Sequence, residues 1–170
     1  MRKNIIIVLL SIMLVSTFVL FTDFQSVDDY YLEHAEDITE DSKTVFISIR
    51  CDTILQNMEK LDKNLYDFVP HDGVILAESE YVLREGDSVF DILARAVKAN
   101  RLQMEYKGVE NVYIEGINYI YEFSCGELSG WTYLVNGKTP SVAASMYIPV
   151  DGDIIEWVYT CDLGRDVPTS

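Results

Sequence analysis

Glu85-Gly86-Asp87-Ser88-Val89-Phe90-Asp91-Ile92-Leu93-Ala94-Arg95-Ala96-Val97-Lys98 is the stretch on which the fold class turns. Its first three residues suit a turn, and Ser88 can accept a hydrogen bond from the first free N–H groups of a helix. Val89, Ile92, Leu93, Ala96 and Val97 then recur at helical spacing, while Asp91, Arg95 and Lys98 fall on the opposite side. The spacing predicts a helix with one apolar face, which needs an apolar surface to cover it.

That surface is predicted on both sides of the helix in sequence. Upstream, Val45, Ile47 and Ile49 alternate with Phe46, Ser48 and Arg50, the mark of a strand over Thr44–Arg50. Ile54, Met58, Leu61, Leu65 and Phe68 then repeat with a helical period, predicting a second helix over Thr53–Asp67 that stops before Pro70. Val74–Leu83 is again rich in strand formers. Downstream, strands are predicted at Gln103–Tyr106, Val112–Ile117, Tyr119–Phe123, Trp131–Val135, Met146–Val150 and Ile154–Thr160. Asn136-Gly137 and Asp151-Gly152 are strong tight-turn signals. The pattern predicts an α+β domain: a β-grasp-like, mostly antiparallel sheet with one main covering helix, its first and last strands side by side.

The N-terminus has a different character. Arg2 and Lys3 precede an apolar run from Ile5 to Phe21 that Asp23 closes, which is the order of an export signal. The run reaches the lower limit of a spanning helix, about 17–25 residues. Phe18–Phe24 lacks the small residues of a cleavage site, so an uncleaved anchor is favoured over a removed signal peptide. The chain divides into a signal anchor or signal peptide at 1–24, an acidic spacer at 25–43 and a domain at 44–167. This places the domain outside the cytoplasm, on a single-pass anchor at the cell membrane, or secreted if the signal is cut.

The formal net charge is −15, from 28 acidic and 13 basic residues, and two of the basic ones are Arg2 and Lys3. The exported part is therefore strongly acidic. Nucleic acid is not a partner it would attract, because phosphates are bound through clustered Lys and Arg. The acidity favours solubility or an encounter with a cationic surface.

Familiar reaction motifs are missing. Two histidines, His34 and His71, have no companion at metal-ligand spacing, and no nucleophile elbow, phosphate-binding glycine loop or Cys-x-x-Cys occurs. No catalytic or metal-binding residue is assigned. Asp151 and Asp153 read as hairpin-turn residues, and Glu156 as a solvent-facing position on the last strand. The dense group is aromatic: Tyr119, Tyr121, Phe123, Trp131, Tyr133, Tyr147, Trp157 and Tyr159. Many belong to a core, but those on a sheet face away from the helix would present a flat binding surface beside Ser129 and Asn136.

Four blocks in fixed order carry a resemblance: Asp87–Leu93, Glu115-Gly116-Ile117, Ser129–Gly137 and Val150–Trp157. Over roughly Thr44–Asp166 the chain resembles a bacterial domain family of unknown function related to the C-terminal domain of transcobalamin and intrinsic factor. The resemblance implies a β-grasp-like fold, a signal-led surface context typical of Gram-positive bacteria, and kinship with corrinoid binding. It makes Trp131, Tyr133, Asn136, Tyr147 and Trp157 the candidates to line a ligand surface, with cobalamin as the candidate ligand. The helical domain that completes such a site is absent from this sequence, and a half-site would bind weakly.

Two functions follow as expectations. The first is a non-enzymatic cell-surface interaction or structural module of a Gram-positive-type envelope, binding an envelope protein or glycan. The alternative is a surface module for cobalamin, another corrinoid or another small ligand. Three cysteines allow one internal disulfide. Cys51 and Cys161 each follow directly on a predicted strand, and parallel pairing of those strands would bring their ends together, so a Cys51–Cys161 bridge is expected, with Cys125 left over.

Overall fold

The computed structural model describes residues 38–168. The proposed anchor or signal and most of the spacer lie outside the described residues. Among those described, no helix is long and apolar enough to cross a membrane.

Among the described residues the architecture is mixed α+β, mostly sheet with one α-helix. Strands β1 (Thr44–Arg50), β2 (Val74–Val82), β6 (Gly130–Val135) and β7 (Ile154–Thr160) form a sheet in the order β2-β1-β7-β6, and β3 (Met104–Lys107), β4 (Tyr113–Ile117) and β5 (Ile120–Tyr121) form a second. As expected, the first and last strands are neighbours: β1 and β7 pair in parallel, the remaining pairs being antiparallel.

Helix α1 spans Val89–Ala99 and buries Val89, Ile92, Leu93, Ala96 and Val97 against the core. Its start is a reciprocal cap in which Ser88 Oγ accepts from Asp91 N–H and Asp91 Oδ2 accepts from Ser88 N–H. Two residues assigned to the outer face therefore do more than meet solvent: Asp91 closes the cap, and Arg95 donates to Asp87 Oδ2 at 2.7 Å and to Val82 O at 2.6 Å.

Three predicted elements differ: the strand expected over Tyr119–Phe123 shrinks to Ile120–Tyr121, because Tyr119 and Phe123 both take the left-handed backbone conformation (φ 65). Thr53–Asp67 is not an α-helix but three short 3-10 turns, Asp52–Gln56, Met58–Lys60 and Lys63–Phe68. Local side chains compete with the helical ladder: Asn57 Nδ2 donates to Thr53 O, and Asp62 Oδ1 accepts from Asn64 N–H, opening a new turn. The apolar period still points inward, burying Ile54 and Leu61. Met146–Val150 forms no strand. Its neighbourhood supplies carbonyls to the helix start, Val89 N–H donating to Tyr147 O and Phe90 N–H to Ala144 O, and Pro149 has no N–H for a ladder.

Candidate functional site

Strands β6 and β7 run together from Val135↔Ile155 to Gly130↔Thr160. Beyond Gly130 and Thr160 they part, and the loops that follow form an open end. The separation is held by specific bonds. Leu163 N–H donates to Leu128 O at 3.0 Å, Cys125 N–H donates to Ser129 Oγ at 3.0 Å, and Tyr159 Oη contacts Ser129 Oγ at 2.9 Å. Asp166 accepts from Cys161 N–H at 2.8 Å and from the Thr160 hydroxyl.

Between these loops and the 3-10 turns lies an open pocket of about 470 Å³, lined by Asn57, Lys60, Cys125, Glu127, Cys161 and Asp162 among others. Lys60 Nζ donates to Asn57 Oδ1 at 2.7 Å, which holds the cation at the wall. Asp162 pairs with Arg165, whose hydrogen bond keeps its carboxyl below the usual range. The lining includes exposed Leu128, to whose carbonyl exposed Leu163 donates its N–H. Both wall thiols are raised by burial, Cys125 to about 12. Neither is a thiolate near neutral pH, so neither is an activated nucleophile. The pocket can bind through a cation, carboxylates, an amide and apolar contact.

The aromatic candidates occupy another place. Trp131, Tyr133 and Trp157 are 7%, 7% and 3% exposed and belong to the same core cluster as the α1 residues, so they lie on the covered side of the sheet. Trp131 Nε1 donates to Ile120 O at 2.8 Å, with its ring edge-on to Tyr159 at 5.3 Å. Tyr133 donates to Val142 O at 2.7 Å and packs against Trp157 at 5.4 Å and Tyr147 at 6.4 Å; burial pushes its phenol up to about 12. The structure thus gathers four of the candidates, but as packing. The other face of the sheet carries Leu134 and Val158, covered by Val167. Asn136 is exposed in the β6 turn, bonded to Asp153 and to Ile154 N–H.

Cys51, Cys125 and Cys161 are buried and unbridged in this structure, and the level pairing that the expected Cys51–Cys161 bridge needs is not found. The strand register explains it. Arg50 pairs with Val158, which sets Cys51 level with Tyr159 and leaves Cys161 two residues further on, about 6–7 Å along the strand. Sequence reasoning did not find the pocket, whose residues come from three distant segments. The one available signal was Cys125, set in the turn-rich Ser124–Gly130 stretch just ahead of β6. Among the described residues no three His, Cys, Asp or Glu side chains are grouped to hold a metal ion.

Fold and site define a small mixed α+β domain that is closed at one end of its β6/β7 pair and open at the other. Residues 86–161, under half of the chain, match the model of a domain of unknown function, DUF4430. No curated protein matches the chain. Among solved structures it is similar to a candidate metal-binding protein from Ruminococcus gnavus ATCC 29149, with 13% identity, a TM-score of 0.42 and coverage of 69% of this chain and 96% of that one. It is also similar to haptocorrin in complex with Cbi, with 16% identity and a TM-score of 0.48, covering 74% of this chain but only 27% of haptocorrin.

Proposed function

We propose that this chain is a non-enzymatic interaction module, a β-grasp-like domain displayed at the outer face of a cell membrane by its N-terminal segment. In this reading the domain meets a partner with a cationic surface through the end that carries Cys125 and Cys161. The observation behind it is the open pocket of about 470 Å³ where β6 and β7 part. Exposed Leu128 and Leu163 beside exposed Glu127 give that end an apolar rim with a charged edge, the composition of a contact surface. A net charge of −15 favours encounter with a cationic partner and repels phosphate-rich ones.

A second reading takes the same pocket for a small ligand, a corrinoid such as cobalamin being the candidate from the sequence resemblance. The pocket volume favours it, since small-molecule sites span about 300–1,000 Å³. A corrinoid there would be covered on one side, and binding should be weak.

One titration separates the two. Full-length protein in detergent micelles is titrated with a lysine-rich peptide and, separately, with cobalamin, at about 0.15 M salt. The first reading expects peptide binding that weakens with salt and is reduced more by Glu127→Lys at the pocket than by Glu80→Lys on β2. Saturable quenching of tryptophan fluorescence by cobalamin, with the two Lys variants equal towards the peptide, would establish the small-ligand reading instead.

A further inference from the structure

We infer that Cys125 and Cys161 are joined by a disulfide in the exported protein, and that Cys51 is the thiol left free. The inference stands on the placement of the two cysteines and does not depend on what the pocket binds. Gly130↔Thr160 is the last rung of the β6/β7 ladder, so Cys161 begins where the ladder ends, and Cys125 lies in the loop that enters it from the other strand. That loop is tied to the segment after Cys161 by the bond from Leu163 N–H to Leu128 O. It is tied to β7 again through Ser129, whose hydroxyl contacts both Cys125 N–H and Tyr159 Oη.

Both thiols also rest on one 3-10 turn. Cys125 Sγ lies 3.5 Å from Asn57 O and Cys161 Sγ lies 3.8 Å from Thr53 Oγ1, while Asn57 Nδ2 bonds back to Thr53 O. They line the same pocket wall. Cys51 is excluded from that wall. It sits at the end of β1, fully buried, with its N–H bonded to Gly73 O at 2.7 Å.

The chemistry is thiol–disulfide exchange with a disulfide oxidant outside the cytoplasm. The Cys161 thiolate attacks one sulfur of the oxidant, forming a mixed disulfide and releasing one thiolate. The Cys125 thiolate then attacks the Cys161 sulfur, the Cys125–Cys161 bond forms, and the second oxidant sulfur leaves as a thiolate. Two cysteine thiols lose two protons and two electrons, and the oxidant disulfide becomes two thiols. Burial raises both thiols in the folded chain and so slows exchange there. Oxidation therefore belongs to the folding stage, before the pocket wall closes. Once formed, the bond fastens the pocket loop to the end of β7.

Trypsin can test this directly, because cleavage after Arg50, Lys60, Lys107, Lys138 and Arg165 leaves each cysteine on its own peptide. Full-length protein is taken from membranes of expressing cells without reductant, and separately refolded from the reduced state with oxidised glutathione. Free thiols are blocked with N-ethylmaleimide under denaturing acid before digestion. The expected product is the 108–138 peptide linked to the 139–165 peptide, splitting on reduction with a gain of two hydrogens, while the 51–60 peptide carries the maleimide. Reductant should lower the melting temperature of the native chain by roughly 5–15 °C and leave Cys161→Ala unmoved. A link that includes Cys51, a link between two copies of one peptide, or maleimide on all three cysteines in both preparations would overturn the assignment.

Discussion

The two ends of the β6/β7 pair handle the same backbone problem in opposite ways. At the turn end, the left-handed conformation falls on Asn136 (φ 50) and Gly137 (φ 71), residues that adopt it at little cost. Asn136 repays the position twice, donating to Asp153 Oδ1 at 2.8 Å and accepting from Ile154 N–H at 3.0 Å. At the pocket end, the same region of backbone space is occupied by Phe123 (φ 65) and Leu163 (φ 50), which are 62% and 68% exposed. Bulky residues in this conformation are uncommon, and such strain gathers where a structure does something other than fold. The turn end is built for stability; the pocket end keeps strain, exposed apolar side chains and two cysteines together.

The contrast breaks most visibly if the aromatics of β6 are a ligand surface after all. Trp131→Ala removes a ring packed on Tyr159 and a hydrogen bond to Ile120 O, and it should cost about 3–5 kcal/mol. Urea unfolding measures it. A loss below about 1 kcal/mol would take Trp131 out of the core and return it to the list of contact residues.

The parts of the molecule that sequence reveals and conceals follow the same division. Helix α1, strands β1, β6 and β7 and the Asn136-Gly137 turn are written in local periodicity and turn chemistry, so each could be read from a few consecutive residues. The adjacency of β1 and β7 could be inferred too, because a helix between two β regions limits the possible orders. Register could not. A two-residue offset between β1 and β7 separates Cys51 from Cys161, and nothing local specifies that offset. The faces of the sheet were not legible for a related reason. Trp131, Tyr133 and Trp157 alternate correctly, but which side α1 covers is set by packing, not by alternation. The Thr53–Asp67 period was real, yet Asn57 and Asp62 break the ladder through side-chain bonds that a hydrophobic count ignores. The pocket joins loops from three segments and leaves no periodic trace.

A smaller effect sharpens the comparison at the turn end. Asn136→Leu would install there the kind of residue that the pocket end tolerates. It would carry the steric cost of the left-handed conformation, about 1–2 kcal/mol, and lose two hydrogen bonds worth about 1 kcal/mol each. Part of that loss is recovered because Ile154 N–H can reach water, so the expected destabilisation is roughly 2–3 kcal/mol, read as a shift in urea midpoint at unchanged slope. A variant as stable as the native chain would mean that Asn136 has no special part in the turn, and that the two ends do not differ in the way described.

The smallest effect, and the most direct measure of strain at the pocket end, comes from Leu163. Its side chain is largely in solvent, and its N–H bond to Leu128 O does not depend on side-chain identity. Leu163→Gly relieves the left-handed penalty, about 1–2 kcal/mol, and raises the conformational entropy of the unfolded chain, which takes back about 0.5–1 kcal/mol. The net change should be a stabilisation of about 0.5 kcal/mol. Leu163→Ala removes nearly the same packing but keeps a Cβ in the strained conformation, so it should be neutral or slightly destabilising. The difference between the two variants isolates the backbone term, because the lost leucine contacts cancel. Paired urea titrations should place Gly above Ala by about 0.5–1 kcal/mol. If Ala is the more stable, the left-handed conformation at Leu163 costs nothing, and the contrast between Phe123 and Leu163 at one end and Asn136 and Gly137 at the other says nothing about function.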